Sequence, residues 1–290
     1  MLVKYTLTDY QFSSTPCVFL LGGFDGIHIG HQKLIDKAKS FSLPVGIMTI
    51  RGGKGESLFT QEEREEIFER AGIDFVLESD FTESFKNLSA EDFLSLVTEK
   101  FFVAAFVCGK DFRFGKGASG TPDFIREKTG LPVFDIDISC DEHGNKIGTR
   151  SLKQLLREGE VEKANALLVS KFRVSGEVLH GRHIGRTYGF PTANIVYPVG
   201  KTFVKEAVYA VTVEAEGRIF RGIANYGRCP TFEVEYKLLE TYLDGFSGDL
   251  YGKKITVYFD FKIRDIQKFS SAEELKEQLQ KDILAIRSER

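Results

Sequence analysis

The hydrophobic and polar positions of this chain change rhythm once, near residue 171. Before it, short apolar runs at 17–21, 45–50, 73–77, 103–107 and 133–138 are bounded by Gly, Pro or polar residues. Helix-like segments lie between them at 31–40, 61–71 and 90–101. The last opens on Ser89-Ala90-Glu91-Asp92, a capping-box pattern, and sets Phe93, Val97 and Phe101 on one stripe. This alternation predicts an α/β domain with a parallel sheet, whose ligands bind beyond the C-terminal strand ends. A helical segment over 152–169 comes next. Period-two runs then follow at 172–178, 208–214, 217–224, 237–243 and 254–259, separated by glycine-bearing turns. They predict an antiparallel sheet or barrel. Ser271-Ala272-Glu273-Glu274 caps a terminal helix striped by Leu275, Leu279 and Ile283. No repeat or low-complexity linker interrupts the chain. The expectation is two packed domains, 1–170 and 171–290, joined through the 152–169 helix.

Composition narrows the class. A chain of 290 residues has room for two ordinary cores. With 28% charged residues and a formal charge of −3 it has no basic field for nucleic acid. It has no apolar run of the roughly 18 residues needed to cross a membrane. Met1-Leu2-Val3-Lys4-Tyr5 lacks the layout of a signal peptide. Cys17, Cys108, Cys140 and Cys229 are scattered without a C-x-x-C pair, which predicts neither a disulfide framework nor a zinc site. Cys17 and Cys108 read as buried thiols within apolar runs. A reduced cytoplasmic protein is expected.

Two blocks carry chemistry. Gly22-Gly23-Phe24-Asp25-Gly26-Ile27-His28-Ile29-Gly30-His31 follows the first long apolar run directly. A strand ending in a glycine-rich turn and opening a helix is an anion site, because first-turn N–H groups lack partners and the helix dipole favours negative charge. His28 and His31 are spaced to share a helix face, and Gly30 admits a phosphate to the backbone. The competing readings are a partial metal site or two solvated histidines. The second block, Gly181-Arg182-His183-Ile184-Gly185-Arg186-Thr187-Tyr188-Gly189-Phe190-Pro191-Thr192-Ala193-Asn194, lets backbone amides wrap a polyphosphate. Thr192 and Asn194 offer neutral oxygens suited to Mg²⁺. A plain glycine-rich hairpin would explain the glycines, though not the whole run.

Together these blocks resemble those of the bacterial bifunctional riboflavin kinase/FMN adenylyltransferase (FAD synthetase) family. Three further motifs appear in the family's order: Gly109-Lys110-Asp111-Phe112-Arg113-Phe114-Gly115, Asn225-Tyr226-Gly227-Arg228-Cys229-Pro230-Thr231-Phe232, and Glu240-Thr241-Tyr242-Leu243 before Gly248-Asp249-Leu250-Tyr251-Gly252. The resemblance implies a Rossmann-like nucleotidyltransferase domain followed by a small antiparallel β-barrel kinase domain with a C-terminal helix. It implies riboflavin, FMN and ATP as substrates and Mg²⁺ as the metal. By the same resemblance Glu240 is the kinase base, although a lone strand glutamate is more often a solvated carboxylate. Thr192 and Asn194 hold the metal and ATP, under the loop of Gly181, Gly185 and Gly189. In the first domain Gly22, Phe24, Asp25 and Gly30 bind ATP, His28 and His31 are catalytic, and Asp111 is a metal ligand.

Departures from the family pattern cluster in the first domain. A Thr-Phe-x-Pro-x-Pro segment is replaced by Thr49-Ile50-Arg51-Gly52-Gly53-Lys54, and a Ser-Ser-Thr-x-Ile-Arg segment by Gly148-Thr149-Arg150-Ser151-Leu152-Lys153. Lys153 is expected to bind ATP where relatives use arginine, trading a bidentate fork for a point charge. The kinase-side differences, Ala207 and Ile266, are small. The expectation is a full kinase with a weaker adenylyltransferase. The alternative is a kinase whose first domain is vestigial or regulatory and only binds flavin or nucleotide.

Overall fold

The computed structural model describes residues 2–7, 12–52, 55–138, 140, 144, 147–180, 190–228 and 237–288. The chain divides into two bodies, Met1–Glu56 with Gln61–Thr149, and Ser57–Thr60 with Arg150–Arg290.

The first body runs β1 (Val3–Thr6), β2 (Ser13–Leu21), α1 (Ile29–Lys39), β3 (Val45–Arg51), α2 (Gln61–Arg70), β4 (Phe75–Asp80), α3 (Glu83–Asn87), α4 (Ala90–Lys100), β5 (Phe101–Gly109), α5 (Pro122–Thr129) and β6 (Val133–Ile136). Its strands stand in the order β1-β4-β3-β2-β5-β6, every pair parallel. From β2 the chain winds outward through β3 and β4, then returns to β5 and winds the other way. The crevice of such a sheet opens where that reversal occurs, beyond the C-terminal ends of β2 and β5. Phe19, Leu77, Val97, Phe101 and Phe106 pack the interior. The five expected strands are present. The sixth, β1, is an edge strand of four residues with little burial pattern to announce it. Helix α5 is also additional. Thr121 caps it by accepting the Phe124 N–H, Pro122 opens it, and Gly130 closes it at φ +67. These are ordinary start and stop signals.

The second body takes in α6 (Thr149–Glu158) from Arg150 onward, and α7 (Val161–Leu167). A single helix was expected over 152–169. Gly159, at φ +84, divides it, since that backbone conformation cannot continue a right-handed helix. Six strands follow: β7 (Arg173–Glu177), β8 (Thr192–Val196), β9 (Ala207–Ala215), β10 (Arg218–Arg228), β11 (Lys237–Leu243) and β12 (Lys254–Asp265). The final helix is α8 (Ala272–Ser288). The sheet order is β7-β12-β9-β10-β11-β8, antiparallel throughout. Its edges curl toward one another: a Cβ on Gly176 of β7 would lie 3.3 Å from the Ile195 Cβ of β8. Just past β7, the Leu179 N–H donates to the Asn194 carbonyl at 2.8 Å. The result is a near-barrel filled by Phe172, Tyr209, Tyr226 and Phe259.

Two further features complete this body. Ser57–Thr60 pairs with the chain after β8: the Ser57 N–H donates to Gly200 O and the Thr202 N–H to Ser57 O, both at 2.7 Å. Phe59 packs against Phe172, and Lys201 Nζ donates to Leu58 O at 3.0 Å. Helix α8 lays Ile283 and Ile286 on Val208, Ala210 and Ile223. Its buried Asp282 accepts from Arg264 Nε and Nη2 at 3.0 and 2.9 Å. Among the described residues no helix is long and apolar enough to cross a membrane. Cys17 and Cys108 are free and buried, with their thiols pushed up to about 12 chiefly by desolvation.

Candidate functional site

In the first body, β2 delivers the chain at Leu21 into the glycine turn, and α1 starts at Ile29. Gly22 is needed there because a Cβ would meet the Phe24 ring at 2.8 Å. Phe24 is fully buried and lies 4.7 Å from the His31 ring, so its part is to support that ring from beneath. Asp25 is half-buried and close enough to Arg64 of α2 to favour that residue's charged form.

The two histidines meet in a way that spacing alone does not give. His28 lies outside the helix as its N-cap, and its Nδ1 accepts the His31 N–H at 3.2 Å. The His31 Nδ1 contacts the Gly26 carbonyl at 2.9 Å, which makes it the protonated nitrogen. The rings stack at 3.7 Å and 17°. Burial lowers the His28 pKa to about 4, and burial with the neighbouring His28 lowers that of His31 to about 3. Both are therefore neutral at physiological pH. His28 then presents an Nε2–H donor and His31 an Nε2 acceptor. Among the described residues no group of three His, Cys, Asp or Glu side chains could hold a metal ion, which leaves the partial-metal reading without a third ligand.

Gly30 is bound tightly into this arrangement. A Cβ there would stand 2.7 Å from the Ile138 carbonyl and 3.1 Å from the His28 ring. Alanine at a helical glycine ordinarily stabilises, by about 0.5–1 kcal/mol. Here Gly30→Ala is expected to destabilise by about 1–3 kcal/mol, because neither a carbonyl nor a stacked ring can yield freely. Urea unfolding checks the sign.

The histidines face a cavity of about 970 Å³ across the ends of β2 and β5. Its lining includes Gly22, Gly23, His28, His31, Asp111 and Thr149 together with the apolar Ile50, Phe81, Phe85, Phe93, Phe112 and Phe114. Such a mixed lining suits both a polyphosphate and a flat aromatic ring system. Asp111, at the end of β5, is exposed. The altered segment after Thr49 has a structural role of its own: Arg51 pairs with Asp80 at 3.0 Å and Glu78 at 3.5 Å, extending the β3–β4 ladder. Lys153 lies half-buried on α6, in the second body.

In the second body the register assembles a second cluster. Glu240 of β11 stands opposite Asn194 of β8 on one side and Asn225 of β10 on the other. Tyr242 stands opposite Thr192 in the next same-face row. Directly opposite residues in a sheet point to the same face with Cβ atoms about 5 Å apart. Thus Thr192, Asn194, Glu240 and Tyr242 share one face. Glu240 is half-buried, and desolvation raises its carboxyl pKa. The Asn194 Oδ1 is buried without a hydrogen-bond partner. An orphaned acceptor of this kind points to a ligand. Thr192 and Asn194 also line a cavity of about 480 Å³, closed opposite by Phe246, Gly248, Asp249 and Tyr251.

The structure thus brings Thr192, Asn194 and Glu240 together, and separately Gly22, His28, Gly30, His31 and Asp111. Gly181, Gly185 and Gly189 lie outside the described residues. Sequence reasoning assigned no role to Asn225 or Asp249. Both sit in quoted motifs, yet only strand register puts Asn225 beside Glu240.

Known proteins bear on both bodies. A family model described as FAD synthetase matches residues 11–148, and one described as riboflavin kinase matches 168–289. A bifunctional riboflavin kinase/FMN adenylyltransferase of Escherichia coli K12 is 36% identical, over 96% of this chain and 95% of its own. A Bacillus subtilis protein of the same description is 32% identical, over 91% and 90%. A Streptococcus pneumoniae crystal structure, titled a macrolide-efflux protein, is similar over the whole of both chains with a TM-score of 0.90 and 29% identity.

Proposed function

Because this chain belongs to the bifunctional riboflavin kinase/FMN adenylyltransferase family, we propose how its own residues divide the two reactions. The riboflavin kinase domain makes FMN from riboflavin and ATP, and the FAD synthetase domain joins an adenylyl group to FMN. The observation that carries the residue assignment is the row in which the buried, unpartnered Asn194 Oδ1 stands opposite Glu240.

In the kinase, Glu240 accepts the proton of the riboflavin 5′-hydroxyl as that oxygen attacks the γ-phosphate, whose bond to the β,γ-bridging oxygen breaks to release ADP. A desolvated carboxylate of raised pKa is matched to that task, being a better base than one in water. Thr192 and Asn194 would hold Mg²⁺, which takes few protein oxygens and completes its shell with water and phosphate. When bound, Mg²⁺ neutralises charge on the polyphosphate. We assign ATP binding to Gly181, Gly185 and Gly189 from their motif alone.

In the adenylyltransferase, the FMN phosphate attacks the α-phosphate of ATP and pyrophosphate leaves. Catalysis here rests on positioning and charge stabilisation. The glycine turn with Gly22 and Asp25, and Gly30 in the first turn of α1, seat the phosphates. His28 donates from Nε2 to an oxygen that gains charge, and His31, which takes a proton from solvent when the anionic phosphates bind, sets a positive charge beside them. Asp111 would hold the metal. The apolar lining of the large cavity takes the isoalloxazine. The reading places the enzyme in the cytoplasm with its ATP supply, with no nucleic-acid partner.

The altered segments favour slower FAD than FMN synthesis. Arg51 is committed to Asp80 and Glu78, and Lys153 lacks a guanidinium fork. The test is a time course of the full chain with riboflavin and Mg-ATP, resolving FMN and FAD by chromatography. FMN accumulating ahead of a slower rise of FAD is expected. FMN without FAD would make the first body vestigial, and no FMN would overturn the kinase assignment.

A further inference from the structure

Helix α8 crosses the sheet face that carries Glu240, and its far end is fastened twice. Arg221 of β10 donates from Nη1 to the Ile286 carbonyl at 3.1 Å. Arg287, in the last turn of α8, grips Asp244 immediately after β11, with Nε to Oδ2 at 2.8 Å and Nη2 to Oδ1 at 2.6 Å. The same Asp244 carboxylate receives the Tyr242 hydroxyl at 3.4 Å. Tyr242 follows Glu240 on the same face, and its ring meets Phe190 edge-on at 5.8 Å. Phe190, Tyr242, Phe261 and Ile263 are each only half-buried around this cluster. They form an apolar ledge beside the base.

We propose that Asp244 and Arg287 are positioning residues of the kinase, which hold the Tyr242 ring as part of the ledge that receives the ring system of the acceptor. The inference rests on the kinase reading of the second body. A ribityl hydroxyl at Glu240 leaves the isoalloxazine to be held by nearby apolar surface, and Tyr242 is the neighbouring aromatic residue on that strand face. Arg287 is substantially exposed, so its bidentate grip serves orientation more than stability. The Arg264–Asp282 pair holds α8 independently, so breaking the grip does not undock the helix.

The test measures riboflavin phosphorylation by the full chain and by Asp244→Asn, Arg287→Ala, Arg287→Lys and the Asp244→Asn/Arg287→Ala double variant. Lys281→Ala, on the exposed side of α8, is the control. Each charge-removing single variant is expected to raise the KM for riboflavin about fivefold, the scale of one bidentate surface link, with kcat and the KM for ATP unchanged. The double variant should be no worse than either single one. Arg287→Lys should recover part of the loss, and the acid limb of the kcat profile should not move. An unchanged riboflavin KM, an equal rise in the KM for ATP, or additive single effects would each overturn the proposal. Absence of FMN from the parent and every variant alike would be a failure of the kinase reading, whereas ready FMN formation with an unmoved riboflavin KM would be a failure of this proposal alone.

Discussion

Glu240→Gln is expected to lower kcat for riboflavin phosphorylation by about 10²–10⁴-fold, the usual cost of losing a general base. The substitution keeps the size of the side chain and its place opposite Asn194 and Asn225, so ATP binding should stay close to normal. Two further readouts distinguish loss of chemistry from loss of fold. Burial raises the carboxyl pKa, and the active form is the carboxylate. The unmodified enzyme should therefore lose kcat as pH falls through a value above the ordinary glutamate range, and the Gln variant should lack that limb. The stability sign runs the other way. A carboxyl whose folded pKa is raised destabilises the fold progressively as pH rises above its unfolded pKa, because the buried group must ionise. At neutral pH the variant should be at least as resistant to urea as the parent. Near-normal turnover would reduce Glu240 to a strand carboxylate.

His28→Asn and His31→Gln are each expected to cut FAD formation from FMN and ATP by about 10²–10³-fold, the cost of one well-placed donor or proton acceptor. FMN formation by the same protein should be untouched, which supplies an internal control for folding. Asparagine is chosen at 28 because it is itself a good N-cap and keeps the start of α1 in place. The pH dependence has a definite sign. Both imidazoles are neutral in the free site, with pKa values of about 4 and 3. A bound polyphosphate favours the imidazolium and raises them, so binding takes up protons and nucleotide affinity increases as pH falls. Calorimetry of ATP binding in two buffers of different ionisation heat measures that uptake. Proton release on binding, or full FAD synthesis by either variant, would remove the histidines from the chemistry.

Much of this architecture was legible in the spacing of apolar residues. Runs such as 17–21 and 103–107 are continuous because both faces of a parallel sheet are covered, and 211–214 alternates, with Val211 and Val213 buried and Glu214 exposed, because one sheet face is more buried than the other there. What escaped was short or broken locally. β1 has four residues at an edge. β8 lay hidden within a motif read as a phosphate loop, although Thr192–Val196 alternates and Pro191 immediately precedes it, a position proline tolerates. Gly159 split a helix that the apolar pattern carried through. In the site, the motif located His28 and His31 but not their geometry: a shared helix face was expected, and a capping contact with stacked rings is found. Asn225 could not be placed beside Glu240, since register between strands depends on pairings no local pattern specifies.

The short segment Ser57–Thr60 has a consequence in time. Leu58 and Phe59 are all but fully buried, and Phe59 lies on Phe172. During synthesis Phe172 is made more than a hundred residues after Phe59. At ordinary elongation rates that interval is on the order of ten seconds. Throughout it, two large apolar side chains must wait on a nascent chain whose first sheet can already be folding. A chaperone-sized window of exposure is thus built into the order of the sequence. A cut at residue 170 would make that exposure permanent for the first fragment and leave the second without the ring that covers Phe172.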